Sequence, residues 1–322
     1  MTADVHRVPR VAVVVATHVY CFPLEKCLSD FVAQTASAQD VILVDNGSGG
    51  AMTAWARENA PTVTTLTRER NGFFCGGYNA GMQYAIEHDY DFVLIVNADT
   101  EACNPSLISE LLKVAERHPQ AAFIGPKVYL RQMGAVQNTV LTFPGFLRGV
   151  ASFIQHKLLG TPRPESDDNE REVEFLNGVC VLCRIAALRE IGLLDETMGG
   201  YVEDTDWAWR ARALGWKSVY TPIPSIVHHQ PAAGYEHYST KSFMLRRNTI
   251  YWHWKRGARI EAMLYGWSAR FLAQFRATQA WLLGRADADR YFAYSRRLKA
   301  VDRGIRSGMP IGEWFGPPLS AN

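Results

Sequence analysis

Residues 91–100 read Asp91-Phe92-Val93-Leu94-Ile95-Val96-Asn97-Ala98-Asp99-Thr100. Phe92 to Val96 is a run of aromatic and β-branched apolar residues, too short for a helix and suited to a buried strand. The run stops abruptly in Asn97, Asp99 and Thr100, so polar groups stand at the carboxyl end of a core strand. In open α/β sheets that edge is where ligands bind, because its loops vary while the sheet holds them in place. By itself Asn-x-Asp is the mark of an Asx-type turn; the neighbouring segments change that reading.

Upstream, Val11 to Ala16 is a continuous apolar run stopped by Thr17-His18. Apolar residues then recur at helical spacing through Leu24–Thr35, at Leu24, Cys27, Leu28, Phe31 and Val32. A second strand, Val41–Val44, ends in Asp45-Asn46-Gly47-Ser48-Gly49-Gly50, where a carboxylate can meet a nucleoside or cap the next helix. Met52–Asn59 reads as a helix and Val63–Leu66 as a short strand. The stretch Asn71-Gly72-Phe73-Phe74-Cys75-Gly76-Gly77-Tyr78-Asn79-Ala80-Gly81 follows, entering a helix at Ala80–His88. It is a poor match to the dinucleotide fingerprint G-x-G-x-x-G. Its paired glycines still suit a diphosphate drawn close to free N–H groups at a helix start. Together these units predict an α/β fold with a doubly wound, mostly parallel sheet flanked by helices, and a nucleotide as the common ligand.

Downstream, Pro105–His118 is expected to be helical and Phe123–Leu130 to be a strand. From Arg131 to about Glu172 the periodicity dissolves, and Thr161–Glu170 has the composition of a mobile loop, fitting an acceptor-side lid or a plain insertion. Order returns at Val173–Arg184. Beyond it Glu203, Asp204 and Asp206 crowd four positions of an expected helix start, with Trp207, Ala211 and Leu214 on its buried side. Acidic residues favour a helix N-terminus through the dipole. Three carboxylates beside tryptophans also make surroundings that lift one carboxyl toward use as a base. Val219–Pro222 and Ser225–His229 form the last recognisable strand region.

Taken in order, VVVAT (13–17), VILVDNGSGG (41–50), NGFFCGGYNAG (71–81) and LIVNADT (94–100) resemble the large inverting glycosyltransferase family 2 with the GT-A fold. Within it the chain is most similar to bacterial rhamnosyltransferases and galactofuranosyltransferases of cell-surface polysaccharide assembly. The resemblance implies that Asn97-Ala98-Asp99 is the relaxed form of the family's acidic motif, with Asp99 reaching a Mg2+ or Mn2+ ion on the sugar-nucleotide diphosphate. Such an ion needs only one or two protein carboxylates, since phosphate oxygens and water complete its shell. By the same resemblance Thr17, Asp45, Asn71, Gly76, Gly77, Asn79 and Asn97 line the nucleotide-sugar site, and Asn177 in Phe175–Val179 lies beneath the sugar. The segment from Glu203 through Arg210 to Gly215-Trp216 matches the pattern E-D-x-D-x-x-x-R-x-x-x-x-G-W, implying that Asp204 is the catalytic base while Glu203 and Asp206 shape its field. His228 would complete the metal shell, with His229 as its substitute, and Arg247 of Arg246-Arg247-Asn248 would face the diphosphate.

From Ile250 onward aromatic and basic residues interleave in long helical segments. That pattern suits a helix in a membrane interface near anionic or polyprenyl-phosphate lipids, a helix packed on the catalytic domain, or a second subunit in a homo-oligomer. No window is long and apolar enough to span a bilayer. The expected domains are a catalytic one at 8–235 and a helical C-terminal region at 236–322, ending in a tail at Gly312–Asn322. A chain of 322 residues, 48% hydrophobic, can bury a large core, and a net charge of +2 does not point to nucleic acid. Six cysteines scattered through structured stretches, with no apolar segment at the N-terminus, predict a reducing cytoplasmic setting, at the inner face of the membrane if the C-terminal helices bind lipid. The function expected is metal-dependent inverting transfer of a sugar, rhamnose foremost, from a dTDP- or UDP-linked donor to a glycan or polyprenyl-linked acceptor. The alternatives are a non-catalytic nucleotide-sugar-binding subunit and a sugar nucleotidyltransferase, the latter lacking its early glycine-rich loop here.

Overall fold

The computed structural model describes residues 7–131, 135–159, 168–229, 240–285 and 288–307. Its first half alternates strand and helix: β1 (Val11–Thr17), α1 (Leu24–Val32), β2 (Val41–Asn46), α2 (Ala51–Asn59), β3 (Thr64–Arg68), α3 (Phe73–Glu87) and β4 (Phe92–Val96). There follow β5 (Thr100–Ala102), α4 (Leu107–Arg117), β6 (Ala121–Leu130), β7 (Ala135–Val136), β8 (Val140–Leu141), α5 (Phe146–Leu159), β9 (Arg171–Val173), β10 (Phe175–Leu176) and β11 (Cys180–Arg184). The remainder is α6 (Ile185–Ile191), α7 (Glu203–Ala213), β12 (Lys217–His228), α8 (Thr240–Lys255), α9 (Arg259–Leu282) and α10 (Ala288–Ser307). The described residues fall into two compact units. One is drawn from Met1–Phe143, Arg163–Gly199 and Asp204–Ala232, the other from Pro144–Pro162, Gly200–Glu203 and Ala233–Asn322.

The first unit is built on a ten-stranded sheet in the order β3-β2-β1-β4-β11-β6-β12-β5, with β7 on β6 and β9 on β12. Strand β4 is buried along its whole length, as its unbroken apolar run requires. Alternate residues serve the two faces. Val13, Val15, Leu94 and Val96 join the core made with Phe31 of α1 and Leu107 and Leu111 of α4. On the other face Val14 meets α3 so closely that a Cβ at Gly81 would lie 2.3 Å from its Cγ1. Helix α3 starts at Phe73 rather than at Ala80, so the glycine-rich stretch is itself helical. Each interior glycine costs a helix about 1 kcal/mol, but only side chains this small let α3 lie on the sheet.

Parallel pairing holds for β3-β2-β1-β4 and for β6-β12, while β11 runs antiparallel to both β4 and β6. The chain enters β11 straight from the turn after β10, without the crossover helix that a parallel neighbour demands. Strand β5 pairs with β12, four places from β4 in the sheet. Four flat strand spacings cover about 19 Å, whereas the chain from Val96 to Thr100 reaches at most about 14 Å. The sheet therefore curls, and the residues between β4 and β5 are carried to the end of β12.

Two further expectations need correction. The aperiodic stretch 131–172 contains β7, β8, α5 and the start of β9. Its helix was hidden because Gly149 interrupts the apolar pattern where Tyr265 packs against it. Leu214, expected on the buried side of the acidic helix, lies past its end and is 54% exposed. The expected lid residues 161–167 and the tail 312–322 lie outside the described residues.

The second unit gathers α5 with α8, α9 and α10. Phe146 of α5 meets Tyr265 of α9 edge-on at 5.6 Å, His253 of α8 pairs with Glu261 at 2.7 Å, and Arg270 of α9 pairs with Asp302 of α10.

Candidate active site

Because β1, β2 and β4 are parallel neighbours, their carboxyl ends open on one edge, with Thr17 opposite Asp45 in register. Thr17 turns its hydroxyl onto the Val19 carbonyl at 2.5 Å. Asp45 is fully buried and accepts from the Ser48 amide at 2.9 Å, the Thr53 amide at 3.0 Å and the Thr53 hydroxyl at 2.9 Å. Burial alone would raise its pKa, but the Ser48 and Thr53 bonds outweigh it and hold the carboxyl below the usual carboxylate range. Of the two roles open to Asp45 in the sequence, its hydrogen bonds fill the capping one.

The next residue, Asn46, was missed as a site-building group. Its Nδ2 donates to the Phe73 carbonyl at 2.7 Å and to Asn71 Oδ1 at 3.3 Å, while its Oδ1 accepts from the Gly72 amide at 3.1 Å. Asn46 thereby ties the end of β2 to the start of α3, and Gly77 leaves it room, since a Cβ there would sit 2.9 Å from Nδ2. Gly76 makes way for Arg68, a second group the sequence reading passed over. Arg68 Nη1 donates to the Gly76 carbonyl at 2.7 Å. Arg68 ends β3 in register with Asn46, so it reaches the same sheet edge; that strand-final position was the signal available in the sequence. Asn79 is buried, donating to the Leu194 carbonyl at 2.9 Å and to Glu196 Oε1 at 3.1 Å and accepting from the Leu194 amide at 3.0 Å. In this structure Gly76, Gly77 and Asn79 carry packing and anchoring tasks at that edge.

The curl of the sheet brings Asn97, Asp99 and His228 together. His228 Nε2 lies 3.1 Å from Asp99 Oδ1 and 3.5 Å from Asn97 Nδ2. Its Nδ1 faces Gln137 Oε1 at 2.8 Å, which fixes the ring and turns Nε2 toward Asp99. The Tyr78 hydroxyl lies 2.8 Å from the Val96 carbonyl and 3.3 Å from Asn97 Oδ1 and holds that corner from below. His229 is engaged elsewhere, 2.9 Å from Glu101. Among the described residues no group of three or more His, Cys, Asp or Glu side chains could enclose a metal ion. One carboxylate and one oriented imidazole fit a divalent cation that takes the rest of its shell from diphosphate oxygens and water.

Asp204 joins this corner through one turn. Its carboxyl accepts from the Gly178 amide and from the Thr205 amide at 2.7 Å. In the same turn the Asn177 amide donates to the Thr139 carbonyl at 2.8 Å, and the Val179 carbonyl accepts from the Asn97 amide at 2.9 Å. A Cβ at Gly178 would lie 2.9 Å from the ring of Phe74, so only glycine allows this approach. Desolvation pushes the Asp204 carboxyl up to about 6 against the lowering effect of those amides. A carboxyl at that value is poised to take a proton near neutral pH. Asp206 is buried and paired with Arg210 at 2.9 Å, and Arg210 also holds the Leu193 carbonyl at 2.8 Å; this pair anchors α7.

Glu203 opens α7, is buried, and belongs by contact to the second unit with 200–202. There Tyr201 and Val202 stand at φ 67° and 73°, two consecutive side-chain-bearing residues in the left-handed region. Asn248 of α8, fully buried, donates to the Gly200 carbonyl at 2.8 Å and the Tyr201 carbonyl at 2.7 Å. Arg247 Nε in turn donates to Asn248 Oδ1 at 2.8 Å, so the expected diphosphate ligand contributes to this clamp.

The model of a family described as glycosyltransferase-like family 2 matches residues 9–249. The chain is 28% identical over 261 residues to the N-acetylglucosaminyl-diphospho-decaprenol L-rhamnosyltransferase of Mycobacterium tuberculosis, covering 71% of this chain and 82% of that protein. It is 33% identical over 189 residues to galactofuranosyltransferase GlfT1 of the same species, covering 56% and 58% of the two. Among solved structures, GalNAc-T7 with UDP, GalNAc and Mn2+ is similar in fold, with a TM-score of 0.55 at 14% identity, over 95% of this chain and 59% of that one.

Proposed function

Because the chain belongs to glycosyltransferase-like family 2 and is a glycosyltransferase, we propose that it is a metal-dependent inverting enzyme moving L-rhamnose from a nucleoside-diphosphate donor to a hydroxyl of a glycan or lipid-linked glycan. The observation that carries the mechanism is the Asn177-Gly178-Val179 turn, which holds a carboxyl of raised pKa beside the Asn97-Asp99-His228 corner.

Asp204 takes the proton of the acceptor hydroxyl, and that oxygen attacks the anomeric carbon from the face opposite the leaving nucleoside diphosphate. One bond forms as the other breaks, so the configuration inverts. Asp99 and His228 would hold the divalent cation, which would supply positive charge to offset that gathering on the departing diphosphate. Asn46, Asn71 and the glycine-rich start of α3 form the floor beside the nucleotide, with Arg68 as the cation at that edge. Rhamnose, and a lipid-linked acceptor, are favoured by the rhamnosyltransferase relative aligned along 82% of its length. A non-catalytic sugar-nucleotide binder would have no use for a carboxyl held near 6.

Calorimetry with dTDP-rhamnose, UDP-sugars and GDP-sugars, each with Mn2+, with Mg2+ and with chelator, tests this reading. Cation-dependent binding of dTDP-rhamnose is expected; tighter binding of a UDP-sugar would reassign the donor, and binding unchanged by chelator would remove the cation from the mechanism.

A further inference from the structure

Helix α9 is built inside out. Its buried residues are small, namely Ala262, Gly266, Ala269, Ala273, Ala277 and Ala280. Its large apolar residues face away from the second unit: Ile260, Met263, Leu264, Trp267, Phe271 and Phe275 are all exposed, Trp267, Phe271 and Phe275 at 59%, 60% and 57%. Their spacing puts them on one stripe about 22 Å long at 1.5 Å per residue. Small residues let α8 and α10 come close to α9, and the stripe is the bulk left over. An exposed apolar band of this size marks an interaction surface.

Charge identifies the partner. Residues 240–322 hold 15 Lys and Arg against 5 Asp and Glu, a formal +10, whereas the whole chain is only +2. Residues 1–239 therefore carry −8. The apolar stripe is flanked by exposed Arg259 and Arg276, and the single acidic residue of α9, Glu261, is paired with His253 and Arg256. A second copy of the chain would bring one strongly basic region against another and be repelled. An anionic bilayer surface attracts the arginines and accepts tryptophan and phenylalanine at the boundary of headgroups and acyl chains. No helix among the described residues is long and apolar enough to cross a membrane, so α9 would lie along the surface.

We propose that the exposed stripe of α9 docks the protein in the plane of an anionic membrane. The proposal does not depend on which sugar is moved. Its test is co-sedimentation of the full chain with vesicles of phosphatidylcholine alone and with about 30% phosphatidylglycerol, at low and high salt, without donor. Binding to the anionic vesicles, weakened by salt, is expected. The double substitution Trp267→Ser with Phe271→Ser should reduce partitioning at least about tenfold, while donor affinity in calorimetry stays unchanged. Equal partitioning of that variant, or absence of the parent protein from the anionic pellet, overturns the proposal. A dimer in sedimentation velocity that the same substitutions dissociate, without vesicle binding, would assign the stripe to a second copy and also overturn it.

Discussion

Asp204 is the proposed base, and its protonation gives two separable expectations. Its folded pKa of about 6 stands above the ordinary 3.8, so the fold favours the protonated form. That contribution is present below about pH 4 and is lost as pH rises through about 6. Asp204→Asn should therefore unfold at a higher temperature than the parent at pH 7 to 8, with the difference vanishing near pH 4, as a thermal melt series would read. The same substitution should lower kcat by about 10²–10⁴-fold with donor affinity retained, and the parent's rate should fall as pH drops through about 6. Near-normal turnover would move the role to Glu203 or Asp206. At the proposed metal corner the resemblance pointed to Asp99 and His228 but not to Gln137, which orients His228. It lies in a stretch without periodicity, and only the fold brings it to the ring. Gln137→Leu should weaken Mn2+-dependent donor binding by about 10–100-fold, read by titrating the metal at fixed donor.

Elements explain why several expected ligands turned out to be busy. Helix α3 must lie on β1 and β2 so closely that Gly77 and Gly81 have no room for a Cβ. Gly81→Ala should cost about 1–3 kcal/mol, because the branched Val14 side chain it would strike cannot swing away; a denaturation midpoint unchanged from the parent would contradict this packing. Sequence periodicity placed this helix too late because glycine is a poor helix former, and the contact with the sheet that overrides the preference is not local. The segment entering α7 depends on α8 in the same manner. Asn248→Ala would leave the Gly200 and Tyr201 carbonyls without their donor, at a cost of about 1–3 kcal/mol. Asp could still accept from Arg247 but could not donate to those carbonyls, so Asn248→Asp should fare no better.

At the scale of the whole molecule, donor and cation together should stabilise the chain by mass action, about 2.7 kcal/mol at a hundredfold excess over the dissociation constant, and chelator should remove the gain in melting temperature. The sequence by itself determined the order of β-α units, the polar strand ends at Thr17, Asp45 and Asn97 and the acidic start of α7, because these are written in periods of two and three to four residues and in a few consecutive side chains. Only the tertiary structure decided that Gln137 reaches His228 across 91 residues of chain, that Gly178 delivers an amide to Asp204, and that α9 turns its aromatic residues outward. Those outcomes follow from sheet curl, close packing and burial. These are properties of surfaces meeting at a distance along the chain, and no local pattern encodes them.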